Sequence, residues 1–126
     1  MNTSLALTII GSVLILVGIV FNIIPKVVNK AIMGELPVEA VNISAGFRVV
    51  IGGIGIAIGI IAMYCRNLPS EQASTLLFAM GAGFVVIIFA ILSIKFRGFD
   101  ENIAFPPVIL FTLLSILAFY ISSKPK

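Results

Sequence analysis

Arg48 stands as the one charge inside a long apolar stretch, residues 42–64. A guanidinium keeps its charge and binds phosphate or carboxylate groups through two parallel hydrogen bonds. At membrane depth such a charge costs roughly 2.5 to 3.5 kcal/mol on insertion scales, so it faces protein or water rather than lipid. Arg48 is therefore the first candidate for a binding or ion-pair site, with Gly52 opening space beside it and Asn22 and Asn42 as polar candidates at helix ends.

A stripe of small residues runs along the same stretch at spacings of three and four. At about 100° per residue its members share one helix face, which predicts the inward side of the helix. The stripe consists of Ser44, Arg48, Gly52, Gly55, Gly59 and Ala62.

Two interpretations of Arg48 follow from its depth. Counting back about 20 residues from Tyr64 sets the other membrane boundary near Ala45, so Arg48 lies about one helical turn inside it. It is either a snorkelling anchor paired with an acidic residue or a binding group for a headgroup phosphate or a carboxylate. The acidic candidates on its side of the membrane are Glu35, Glu39, Asp100 and Glu101.

Catalytic groups are scarce in this chain. It contains no histidine and one cysteine, Cys65, so it offers no internal disulfide and no CxxC redox pair. No cluster of metal ligands, no nucleophile with a nearby base and no carboxylate within a span is present. The sequence predicts a protein that is not an enzyme and that needs no metal or cofactor.

The composition decides which elements position these residues. Of the 126 residues 60% are hydrophobic and 10% charged, whereas about a quarter of the residues in a soluble domain are charged. This predicts an all-α membrane protein of one domain, residues 1–126, with both termini on the same side. The four spans cover approximately residues 4–24, 42–64, 73–94 and 106–121.

The connection from residue 25 to residue 41 alternates apolar and polar residues at near-helical spacing. A short interfacial helix is predicted there, ended by Gly34 and the Leu36-Pro37 step. The charged residues lie at the ends of the spans, where a bilayer places them, so the net charge of +3 indicates no nucleic-acid partner. The number of basic residues on the two sides differs by one and leaves the orientation open.

Small residues in every span predict a four-helix bundle, because helices in lipid associate through close packing. The pair Gly55 and Gly59 forms a G-x-x-x-G motif that serves either the bundle or a homodimer. The candidate packing glycines are Gly11, Gly18, Gly55, Gly59 and Gly83.

The motif Arg48-x-x-x-Gly52-Gly53-x-x-x-x-x-Gly59 resembles the second-helix signature of a family of small bacterial membrane proteins with four helices. That family is a domain of unknown function, loosely similar in layout to the DoxX-like proteins. Further matching residues are Asn22, Pro25, Ser93, Arg97, Gly98 and Asp100. Gly46 and Phe47 stand where the family often has an acidic residue, so Arg48 needs a counter-group from elsewhere. The resemblance implies a bacterial cytoplasmic membrane and no particular activity.

Two functions remain open on this basis. The first is an accessory protein that binds membrane lipid, another membrane protein or a second copy of itself. The alternative is a small permease or channel that uses Arg48 to attract an anionic or polar solute.

Overall fold

The structure, a computed structural model, describes residues 2–100 and 103–124. Within these residues every regular element is an α-helix, and four helices are long and apolar enough to cross a membrane. The predicted all-α fold with four apolar spans and a short helix between the first two is confirmed. The helices are α1 (Thr3–Ile23), α2 (Pro25–Met33), α3 (Val38–Tyr64), α4 (Ser70–Phe96) and α5 (Phe105–Ser122).

Proline and glycine set the ends of the short helix α2. Pro25 opens it directly after Ile24, because proline lacks an N–H group and its fixed φ suits the first helical position. Gly34 ends it with φ +76°, a left-handed conformation that glycine adopts without strain. The Gly34 N–H donates to the carbonyl oxygen of Lys30 at 3.0 Å. The chain therefore turns sharply at both ends of α2.

Helix α3 is longer than the bilayer core requires. Its 27 residues extend about 40 Å at a rise of about 1.5 Å per residue, against a hydrocarbon core of about 30 Å. If Tyr64 marks one boundary, a span of about 20 residues ends near Ala45, and the two turns of α3 before it, which carry Val41 and Ser44, would lie at the level of the lipid headgroups.

Residues Thr8–Tyr64 form one compact unit, in which α1 and α3 approach closely at glycines. A methyl group at Gly52 would lie 2.7 Å from the Gly18 carbonyl oxygen, and one at Gly59 would lie 2.7 Å from that of Gly11. A methyl group at Gly55 would meet its nearest neighbour, the Leu14 carbonyl oxygen, at 3.5 Å, an ordinary contact. The small-residue stripe of α3 thus lets two backbones touch at Gly52 and Gly59.

The second unit, Met1–Leu7 with Cys65–Lys126, contains α4 and α5. The buried Ser115 hydroxyl donates to the Gly81 carbonyl oxygen at 3.1 Å and ties these two helices together. The Phe119 ring lies against Gly81, where an added methyl group would meet it at 3.0 Å. Nothing lies within 4 Å of the same position at Gly83. The close approach in α4 is therefore at Gly81, two residues before the glycine that the sequence nominated.

Candidate functional site

Arg48 is half-buried and is held by neutral groups. Its Nε donates to the Asn29 side-chain oxygen at 2.8 Å, and its Nη2 lies 3.7 Å from the Met33 sulfur, a weak acceptor. The guanidinium carbon lies 5.3 Å from the centre of the Phe21 ring, within the range of a cation–π interaction. Helices α1 and α2 therefore both contribute contacts to the charge on α3.

Asn29 is the centre of a short hydrogen-bond chain. Its side chain is 3% exposed, and its Nδ2 donates to the Ser44 hydroxyl at 3.1 Å. That hydroxyl donates in turn to the Val41 carbonyl oxygen at 3.1 Å. In the described part of the chain no buried side-chain nitrogen or oxygen is left without a partner. The network is satisfied, so it fixes the position of α2 against α3.

The buried face of α2 is not simply its apolar face. The sequence groups Asn29 with Lys26 and Lys30 as polar, yet Asn29 is buried beside Val28 while Val27 is 61% exposed. The physical reason is the charge on α3, because a guanidinium away from water needs hydrogen-bond acceptors. The two lysines remain at the edge of the buried face.

A pocket of about 270 Å³ lies between α2, the following turn and the start of α3. Lys26, Lys30 and Glu35 bring charge to its lining, and Asn29 and Ser44 bring neutral polar groups. The Lys30 Nζ lies 3.8 Å from the Glu35 Oε1. Arg48 is not among the lining residues, so it supports the pocket wall through Asn29. We call this space the α2–α3 pocket.

The acidic residues nominated as partners of Arg48 take different places. Glu35 pairs with Lys30 at the lining of the α2–α3 pocket, and Glu39 is exposed in the first turn of α3. Asp100 follows α4 in the other compact unit. Glu101 lies outside the described residues.

The polar and glycine candidates near Arg48 also have defined surroundings. The Asn22 Nδ2 donates to the Gly18 carbonyl oxygen at 2.9 Å and to that of Val49 at 3.4 Å, so Asn22 joins α1 to α3. A methyl group at Gly52 would lie 2.7 Å from this Nδ2, so protein fills the space that the sequence reserved for a ligand. Asn42 is exposed and has no described hydrogen bond in residues 2–100 and 103–124.

The site residues that the sequence did not nominate are Lys26, Asn29 and Lys30, and Ser44 was predicted only as a member of the small-residue stripe. The sequence does contain an indication of the two lysines, because Lys26 and Lys30 are four residues apart and would share one face of a helix. Asn29 becomes informative once α2 is known to fold back onto the arginine of α3. An arginine without an acidic neighbour in sequence is the reason to look for such an amide.

No protein-family model, curated protein or solved structure matches this chain. The resemblance to small bacterial membrane proteins therefore stays a prediction. What the geometry offers chemically is binding, because the site combines two ammonium groups, one carboxylate, an amide and a hydroxyl around a small space.

Proposed function

We propose that this multi-pass membrane protein is not an enzyme and that it binds a membrane component, a lipid or a partner protein, in the α2–α3 pocket. The observation that carries the proposal is a charged pocket between α2 and the start of α3, one wall of which is fixed by Asn29. A prearranged wall lowers the ordering cost of binding, because its side chains are already held. On the family resemblance alone we also propose the bacterial cytoplasmic membrane as its location.

Arg48 acts in this proposal as a positioning residue. Its Nε holds the Asn29 oxygen, which directs the Asn29 amide nitrogen towards Ser44 at the pocket wall. The Arg48 contacts also hold α2 against α3, together with the hydrogen bond from Asn29 to Ser44. Loss of Arg48 is expected to loosen the pocket as a whole.

The competing function, a small permease, requires the Arg48 guanidinium to face a solute path. The described contacts direct it to Asn29, Met33 and the Phe21 ring. Binding is therefore the better supported function. The permease hypothesis predicts solute flux into liposomes that is lost in Arg48→Ala, and flux indifferent to that substitution would reject it.

The test of binding compares two tryptophan substitutions on α3. Val41→Trp places a large ring in the α2–α3 pocket, whereas Val50→Trp places the same ring on an exposed part of α3 outside the pocket. Each protein is extracted from native membrane in polymer-bounded lipid discs, transferred to detergent and analysed for retained lipids and proteins. We expect a component that wild type and Val50→Trp retain and Val41→Trp loses. Equal retention by both variants, or nothing retained by wild type, would overturn the proposal.

A further inference from the structure

The α2–α3 pocket carries charges of both signs in an arrangement that suggests its ligand. Lys26 and Lys30 lie one turn apart on α2, and Glu35 lies just beyond the Gly34 turn. Within the described residues Lys26 has no carboxylate partner. The pocket therefore offers two cations on one wall and one carboxylate at the end of that wall.

The ion pair between Lys30 and Glu35 leaves both groups available. Their separation is 3.8 Å and their side chains are 72% and 87% exposed. An ion pair so exposed is held weakly, because water screens it and both side chains keep their freedom. A ligand with a negative and a positive group can replace it by meeting both residues.

The size and level of the pocket fit a lipid headgroup. Its volume of about 270 Å³ lies just below the roughly 300–1,000 Å³ of pockets for drug-sized ligands. With Tyr64 at the opposite boundary, the length of α3 would place Val41 and Ser44 at headgroup level. The exposed apolar side chains of Ile43 and Phe47 lie on the adjoining turns of α3. Acyl chains can lie along those turns while the headgroup enters the pocket.

We propose that the α2–α3 pocket binds a phosphoethanolamine group, with the phosphate at Lys26 and Lys30 and the primary ammonium at Glu35. This inference rests on the proposed function and names its ligand. A phosphoglycerol headgroup has no cation for Glu35 and sets its charge against that carboxylate. A choline headgroup carries a quaternary ammonium that cannot donate a hydrogen bond. Of these three headgroups, only phosphoethanolamine meets all three charged residues with matching groups.

The experiment measures lipid binding to the detergent-purified full chain by native mass spectrometry. Three short-chain lipids of equal chain length are titrated, with phosphoethanolamine, phosphocholine and phosphoglycerol headgroups. We expect wild type to prefer the first lipid by about tenfold, the ratio that one additional charge-assisted hydrogen bond supplies. Glu35→Gln is expected to remove this preference, and Lys26→Gln is expected to weaken the binding of all three lipids. The matched controls Glu39→Gln and Lys95→Gln, exposed residues outside the pocket, leave affinity and preference unchanged.

Water-soluble phosphoethanolamine forms a fourth arm that separates the two sources of the group. Weak binding of this compound identifies a lipid, and binding as tight as that of the lipid identifies a soluble ligand; both support the assigned chemistry. A preference for phosphoglycerol, or an unchanged preference in Glu35→Gln, overturns the assignment. Val41→Trp distinguishes the two levels of failure. If wild type shows no headgroup preference but Val41→Trp abolishes its lipid binding, only the phosphoethanolamine assignment fails. If Val41→Trp binds lipid as wild type does, the pocket itself is refuted as the binding site.

Discussion

Replacement of Asn29 by leucine removes the centre of the polar network and keeps the branching and the number of heavy atoms of the side chain. The charge-assisted bond from Arg48 Nε contributes about 1.5–3 kcal/mol and the neutral bond to Ser44 about 0.5–1.5 kcal/mol. Arg48 is only half-buried, so water replaces part of the loss, and we expect Asn29→Leu to lower the free energy of unfolding by about 2–3 kcal/mol. The effect is large because one side chain serves both partners.

The assay is unfolding by sodium dodecyl sulfate in mixed micelles, followed by far-ultraviolet circular dichroism. Asn42→Leu is the matched control, since Asn42 is exposed on the first part of α3, and it is expected to change the free energy of unfolding by less than about 0.5 kcal/mol. Asn29→Asp keeps an acceptor for Arg48 Nε, and its free energy of unfolding is expected to stay within about 1 kcal/mol of the wild-type value.

One result would refute this reasoning about the network. If Asn29→Leu is as stable as Asn42→Leu, the hydrogen bonds of Asn29 do not hold α2 against α3. A loss of equal size in Asn29→Leu and Asn29→Asp would likewise show that packing, and not the acceptor for Arg48, determines the stability.

Further predictions concern packing in both units. Gly52→Ala is expected to lower the free energy of unfolding by about 1–3 kcal/mol in the same assay, because its methyl group would contact α1 too closely. Gly53→Ala, where nothing lies within 4 Å, is expected to gain up to about 1 kcal/mol from helix propensity; equal stabilities would contradict the close contact. Gly52→Leu is expected to lower thermal stability in detergent more than Arg48→Lys, and equal melting temperatures would contradict this. Ser115→Ala removes the hydrogen bond to α4 and is expected to lower the free energy of unfolding by about 0.5–1.5 kcal/mol. Thr112→Ala removes a hydroxyl bonded within its own helix and is expected to change this free energy little. A larger loss in Thr112→Ala than in Ser115→Ala would contradict the role of Ser115 between the helices.

The spans and the short helix are predictable from sequence because each rests on local physics. Long apolar runs predict the four spans, and the alternation after Pro25 with the stop at Gly34 predicts α2. The apolar run alone does not show that α3 begins at Val38, four residues earlier, but Pro37 suits a first helical position and allows this early start.

The contacts of the site are harder to predict because they depend on which helices become neighbours. In a helix of nine residues the periodicity does not show which edge will pack, so Asn29 reads as a surface residue. Gly52 reads as open space beside Arg48 until α1 is placed, when Phe21 and Asn22 fill it. Both cases were decided by tertiary partners distant in sequence.

In the proposed complex, the α2–α3 pocket holds a phosphate-bearing headgroup at Lys26 and Lys30. The most direct measurement is solid-state NMR dipolar dephasing between lipid ³¹P and ¹⁵N-labelled lysine side chains in phosphatidylethanolamine bilayers. We expect dephased lysine signals that disappear in Lys26→Gln and Lys30→Gln and persist in Lys95→Gln. A dephasing pattern that survives both pocket substitutions, or no dephased lysine signal in the wild type, would contradict it.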